Sequence, residues 1–149
     1  MRFALPFVLL VLAVPAAATP RGFGLQLGTS FDEADLLAGA HYILPITHRI
    51  ALAPSVNLGT AGGDGAITLN GNIHYNLLPD AEVGPYVEAG ISSYSAGPSD
   101  DTSDSPDAAG PTFGGGVWFN RQGGTAYSLE GRFGYSGLPR FTAQLAVTF

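Results

Sequence analysis

The last nine residues, Phe141-Thr-Ala-Gln-Leu-Ala-Val-Thr-Phe149, alternate strictly. Phe141, Ala143, Leu145, Val147 and Phe149 share one parity, and Thr142, Gln144, Ala146 and Thr148 share the other. Successive side chains of a β-strand point to opposite faces, so this segment has one apolar face and one polar or small face. The sequence ends on an aromatic residue, with nothing after it to cover the apolar face. A strand that closes a transmembrane barrel has this form, because lipid is its outer partner.

The same period recurs seven more times, at 22–31, 36–44, 49–58, 67–77, 83–93, 111–119 and 125–135. Segment 67–77 is the cleanest, with Ile67, Leu69, Gly71, Ile73, Tyr75 and Leu77 against Thr68, Asn70, Asn72, His74 and Asn76. The segments have about the 9–11 residues of a tilted membrane strand. A repeat of two excludes an amphipathic helix. Pro54 and Pro85 each cost a ladder hydrogen bond and are expected to mark a bulge or a strand start. The fold class that follows is all-β, an eight-stranded antiparallel up-and-down transmembrane β-barrel with short periplasmic turns.

The amino-terminal residues predict an address. Met1-Arg2 gives a positive start, Phe3 to Val14 is apolar apart from Pro6, and Pro15-Ala-Ala-Ala18 is a small-residue exit. This reads as a signal peptide, residues 1–18, cleaved after Ala18. The barrel domain is then 19–149. The apolar run falls short of the about 20 residues that a spanning helix needs, and no later segment reaches that length uninterrupted. The chain has no cysteine, which excludes a disulfide scaffold, thiolate metal sites and cysteine catalysis. Without Arg2, five arginines and no lysine face twelve carboxylates, a net charge of −7. Nucleic-acid binding needs a basic surface and is excluded on that ground. A mean hydropathy of +0.21 with only 12% charged residues and 21 glycines suits a barrel better than a soluble enzyme.

With both termini in the periplasm, alternate connections fall outside the cell: 32–35, 60–65, 96–110 and 136–140. The acidic 97–107 stretch is the longest and lies there, in keeping with long outer loops and short inner turns. The inner turns contain 45–48, 78–81 and 121–124. Tyr42, Tyr75, Phe119 and Phe149 come at the inner strand ends, and Phe31 and Tyr135 at the outer ends, as two interfacial girdles would.

The FTAQLAVTF terminus, Ser128-Leu-Glu-Gly-Arg-Phe-Gly-Tyr135, Gly114-Gly-Gly-Val-Trp-Phe119 and Pro85-Tyr-Val-Glu-Ala-Gly90 together resemble the small eight-stranded outer-membrane barrels of the OmpA/OmpX/OmpW-like type. The resemblance is one of pattern over the whole mature chain. It implies that the last strand is read by the outer-membrane assembly machinery, with Phe149, Val147 and Leu145 as the signal. It also implies outer-membrane lipids and lipopolysaccharide as surroundings, and a monomer. No peptidoglycan-binding domain follows, so a tethering role is not assigned.

Eight strands leave an interior that side chains fill. Inward Glu88, Glu130, Arg132 and His74, with Arg49 at a strand end, form the expected lumen network. Buried charges persist only when paired and hydrogen-bonded. Glu130 and Arg132 lie about 6.5–7 Å apart along one strand, so each is expected to pair across the lumen. Such a network is either a structural plug or the gate of a narrow ion or solute channel. The Asp100, Asp101, Asp104 and Asp107 stretch is either a solvated loop or a weak divalent-cation site, since it lacks the glycine and final glutamate of a helix-flanked calcium loop. A lipid-hydrolase site needs a histidine within reach of an outer serine. His41, His48 and His74 fall mid-barrel or on the inner side, away from Ser92, Ser93 and Ser95, so no enzyme activity, cofactor or catalytic residue is expected. The reading is an outer-membrane barrel with a structural or surface role. Its alternative from another class is an exported soluble barrel holding a small ligand, in which the 67–77 apolar set points inward.

Overall fold

In the computed structural model, which describes residues 20–32, 35–60, 65–96, 107–121 and 124–149, every period-two segment is a strand. The order is β1 (Gly22–Ser30), β2 (Asp35–Pro45), β3 (Ile50–Gly59), β4 (Ala66–Asn76), β5 (Gly84–Ala96), β6 (Asp107–Phe119), β7 (Ala126–Gly134) and β8 (Phe141–Thr148). Each strand pairs antiparallel with the next, and β8 pairs with β1, so the barrel is closed. Register across the closure runs from Gly24 opposite Thr148 to Ser30 opposite Thr142. Phe149 extends it by donating its N–H to the Phe23 carbonyl at 2.9 Å. The signal-peptide residues 1–18 lie outside the described residues.

The two strand prolines behave differently. Pro54 faces outward inside β3, and its pairing with Gly71 of β4 is intact. On the other side, the β2–β3 ladder is continuous to His41–Ser55, resumes at Leu44–Leu52 in the same register and skips the residues between. A missing proline N–H interrupts a ladder in this way without inserting a residue. Pro54 is therefore a gap and not a bulge. Pro85 sits second in β5, where a strand start tolerates it.

The apolar parity faces out along the barrel. Leu27, Ile91 and Leu145 are 67%, 69% and 63% exposed, while Asn72 and Trp118 on the opposite parity are 2% and 1% exposed. The 67–77 apolar set points outward too. That orientation removes the soluble alternative, which required this set inside. A continuous apolar exterior of this extent is foreign to a water-soluble monomer. The aromatics form the two expected belts. Phe23, Tyr42, Tyr75, Phe119, Tyr127 and Phe149 ring the end that carries both termini, and Phe31 and Tyr135 lie exposed at the other end.

Inside, two apolar clusters occupy opposite ends of the lumen. Ile43, Ala51, Ala53, Tyr86, Trp118 and Ala126 pack at the termini end. Ala66, Tyr94 and Leu138 pack at the other, with Ala96 and Ala108 against them. Leu138 arrives from the β7–β8 connection. Ser136 and Gly137 have φ of 60° and 86°, and the Leu138 N–H returns to the Tyr135 carbonyl at 3.3 Å. Two successive positive φ angles make a tight hairpin reversal that glycine tolerates at no steric cost. The reversal drops Leu138 into the barrel mouth.

A charge placed mid-strand on the exterior should be costly only if that face meets lipid. Leu129→Arg, near the middle of β7, is expected to lose about 2–4 kcal/mol in urea unfolding from lipid vesicles. An unchanged midpoint would place Leu129 in water.

Candidate functional site

Between the two apolar clusters the lumen is polar, and its centre is a charged group. Glu88 on β5 and Arg132 on β7 are separated by Gly114 of β6, which pairs with both. Glycine leaves an open space there. A Cβ on Gly114 would run into the Gly131 carbonyl and lie 3.0 Å from Glu88 Oε1. Across that gap Arg132 Nε donates to Glu88 Oε1 at 3.0 Å, and an Arg132 terminal nitrogen donates to Glu130 Oε1 at 2.5 Å.

The carboxylates are further satisfied from neighbouring strands. Glu88 Oε2 accepts from Asn72 Nδ2 at 2.9 Å and from His74 Nε2 at 3.1 Å. Glu130 Oε2 accepts from the Tyr86 hydroxyl at 2.7 Å, and its Oε1 accepts from Gln144 Nε2 at 2.6 Å. His74 stacks on Tyr86 at 4.7 Å, and Tyr86 on Trp118 at 5.2 Å, so an aromatic floor carries the ionic layer. Gly116 makes room for that floor, since a Cβ there would strike the Tyr86 ring.

Two smaller polar chains flank this layer. Ser92 donates to Asn70 at 2.6 Å, and Asn70 donates to Ser55 at 2.9 Å. His41 meets Gln26 Oε1 through Nδ1 at 3.1 Å and the Thr148 hydroxyl through Nε2 at 2.8 Å, and Gln26 donates to Asn57 at 2.6 Å. The Gln26 carbonyl oxygen can only accept, so a neutral His41 carries its proton on Nδ1 and accepts from Thr148 at Nε2. Among the described residues, voids of about 10 and 30 Å³ lie one on each side of Arg132, which lines both. Spaces of that size hold a water or two and no larger solute.

Four of the five residues expected in the lumen network meet there: Glu88, Glu130, Arg132 and His74. Arg49 does not. It lies exposed in the turn before β3 and donates to the Leu77 carbonyl at 3.2 Å. The strand begins one residue later, at Ile50, which leaves Arg49 on the rim. The expectation that Glu130 and Arg132 pair only across the lumen is also corrected. Arg132 spans to Glu88 and closes on Glu130 of its own strand, because an arginine side chain outreaches the Cα spacing.

Arg121 was not singled out from the sequence, yet it is the buried arginine of the termini end. It donates to the Leu78 carbonyl at 2.7 Å and the Pro79 carbonyl at 3.3 Å, beneath Gly84, where a Cβ would occupy the guanidinium's place. Burial lowers its pKa, and Asp80 opposes that shift.

Of the acidic candidates, Asp100, Asp101 and Asp104 lie outside the described residues. Asp107 opens β6 and accepts from Ser95 Oγ at 2.6 Å, so it belongs to a strand end. His74, Glu88 and Glu130 bring ligand-type atoms within 4.8 Å of one another. The Arg132 guanidinium already sits between those carboxylates as their cation. Of the histidines, His48 Nε2 contacts Asp80 at 2.9 Å in the exposed turns, and His41 and His74 make the contacts above. Leu145, Val147 and Phe149 lie on the outer face of the final strand.

The N-terminal β-barrel domain of Pseudomonas aeruginosa OprF superposes on this chain with a TM-score of 0.68, covering 86% of this chain and 96% of that domain at 15% identity. The chain shares the fold of that domain, a closed eight-stranded antiparallel β-barrel. A de novo designed transmembrane β-barrel superposes with a TM-score of 0.50 at 18% identity, over 88% of this chain and 94% of the design. No protein-family model matches the sequence. No curated protein matches it either. The likeness is one of architecture.

Removing Arg132 leaves two buried carboxylates without their cation. Arg132→Leu is expected to cost about 3–5 kcal/mol in unfolding free energy. Arg132→Leu combined with Glu88→Gln and Glu130→Gln should recover most of it. No recovery would mean that shape, and not charge pairing, governs the layer.

Proposed function

We propose that the protein is a closed, side-chain-filled barrel of a bacterial outer membrane, exported through the periplasm after loss of residues 1–18. It acts as a monomer, through its surface and its mechanical presence in the membrane, and not through a pore or an active site. Its last strand serves as the assembly signal through Leu145, Val147 and Phe149. The observation that carries this reading is that side chains fill the lumen toward both ends among the described residues. Trp118 and Tyr86 close one end and Leu138 and Tyr94 the other, with the hydrogen-bonded charged layer between them. An ion entering this path would have to shed water where Trp118 and Tyr86 fill one end and Leu138 and Tyr94 the other, at a desolvation cost.

One arrangement favours a second reading, a narrow gated channel. Arg132 touches both Glu88 and Glu130 and partitions the two voids, so exchange of its partners would join them.

Planar-bilayer recording separates the two. The wild type and Arg132→Ala should both hold a closed baseline, because the apolar clusters remain. Sustained openings created by Arg132→Ala would establish the gate and contradict the sealed barrel. Fractionation to the outer membrane and a heat-dependent shift on gel electrophoresis test the location. Recovery from the soluble periplasm would end the reading.

A further inference from the structure

The exterior aromatics are not spread evenly at the end away from the termini. Five of them form one continuous chain across β6, β7, β8 and the end of β1. Tyr135 contacts Phe113 at 5.3 Å, Phe113 contacts Phe133 at 5.9 Å, Phe133 contacts Phe141 at 4.9 Å, and Phe141 contacts Phe31 at 5.3 Å. The Phe141 ring lies over Gly131, where a Cβ would meet it at an ordinary contact distance of 3.4 Å. The β5 residues facing this chain carry no aromatic ring, Ala89 opposite Phe113 and Ile91 opposite Pro111.

Above the aromatic chain is an open groove of about 450 Å³, lined by Phe133, Tyr135, Ser136, Gly137, Leu138 and Arg140. Arg140 is exposed, and its backbone N–H is held by the Asp32 carboxylate. In the sequence it is the only cationic residue in the connections at this end; Asp32, Glu33, Asp64 and the aspartates of 97–106 supply the other charges. Arg21, Arg49 and Arg121 belong to the opposite end, and Arg132 to the lumen.

We infer that this groove is a binding site for an acyl lipid with an anionic phosphate headgroup, resting on the membrane-barrel reading above. The headgroup sits against the Arg140 guanidinium, with the Ser136 and Tyr135 hydroxyls as further donors, and the acyl chains run down over Phe133 and Phe141. The charge pattern selects the occupant. Arg140 is the one cation of these connections, so it is the point at which an anionic head is attracted. Basic side chains beside a spanning surface hold acidic headgroups in this way, and aromatic rings suit the interfacial depth just below.

Native mass spectrometry of the refolded full chain, with equal phosphatidylglycerol and phosphatidylcholine of the same acyl chains, tests the site. The wild type should retain phosphatidylglycerol about fivefold over phosphatidylcholine, the effect of one cation at a lipid surface. Arg140→Gln should bring the two to parity, and Phe133→Leu with Phe141→Leu should reduce retention of both. Equal retention by the wild type, or an unchanged preference in Arg140→Gln, would overturn the site. Displacement of the lipid by excess inorganic phosphate would overturn it as well, as would a two-chain mass that assigns the face to a second copy. The heat-dependent gel shift, run on every variant, keeps the two failures apart. A lost preference with the shift intact refutes this site alone, and a wild type without the shift refutes the barrel reading beneath it.

Discussion

Closure of the hydrogen-bond ladder between β1 and β8 is the constraint from which the rest of the structure follows. In a hydrocarbon layer an unpaired backbone N–H or carbonyl has no water to turn to, so only helices and closed barrels cross it. Among the described residues the ladder runs through all eight strands and returns, from Gly24–Thr148 to Ser30–Thr142. Its weakest point is the Pro54 gap between β2 and β3, which leaves the register unchanged on both sides. Closure at eight strands then sets the bore, and that bore is narrow enough for side chains to fill.

A filled lumen has to satisfy its polar groups with little room for water. Here the solution is layered. Apolar clusters occupy both ends, neutral amides and hydroxyls the next tier, and the Glu88–Arg132–Glu130 group the centre. Each carboxylate accepts several hydrogen bonds, as a buried charge requires. The layer exists because β6 is bare on its inner face between Thr112 and Trp118, with glycine at both 114 and 116. Those two glycines give the arginine and the Tyr86 ring the volume that side chains would otherwise take. The exterior needs no such arrangement, since lipid accommodates any apolar shape.

Strand number, pairing partners and the inward or outward direction of the named side chains were all legible in the sequence, because they depend on a period of two and on parity. Glu88, Glu130, Arg132 and His74 share the inward parity, and so they meet. What parity could not convey was depth along the bore and side-chain reach. Arg49 has a charged side chain near a strand end, and only the strand boundary at Ile50 decides that it lies on the rim. Glu130 and Arg132 look too far apart along the backbone, yet the guanidinium folds back to its own strand. The apolar end clusters were present as Ile43, Ala51 and Ala53 at inward positions, but alternation directs attention to the outer face. Leu138 carried no strand signal. Its burial follows from the Ser136–Gly137 reversal, whose Ser-Gly pair is a turn signal and gives no direction.

The central claim is that lipid faces the apolar parity and a sealed lumen faces the polar one. A chain with no native cysteine permits a direct measurement: Leu129→Cys and Ser128→Cys, adjacent on β7 and on opposite faces, each reconstituted in vesicles and exposed to a charged and a lipophilic maleimide. The account predicts that only the lipophilic reagent labels Leu129→Cys and that neither labels Ser128→Cys until the protein is unfolded. Rapid labelling of Leu129→Cys by the charged reagent, or of Ser128→Cys in the folded protein, would contradict it.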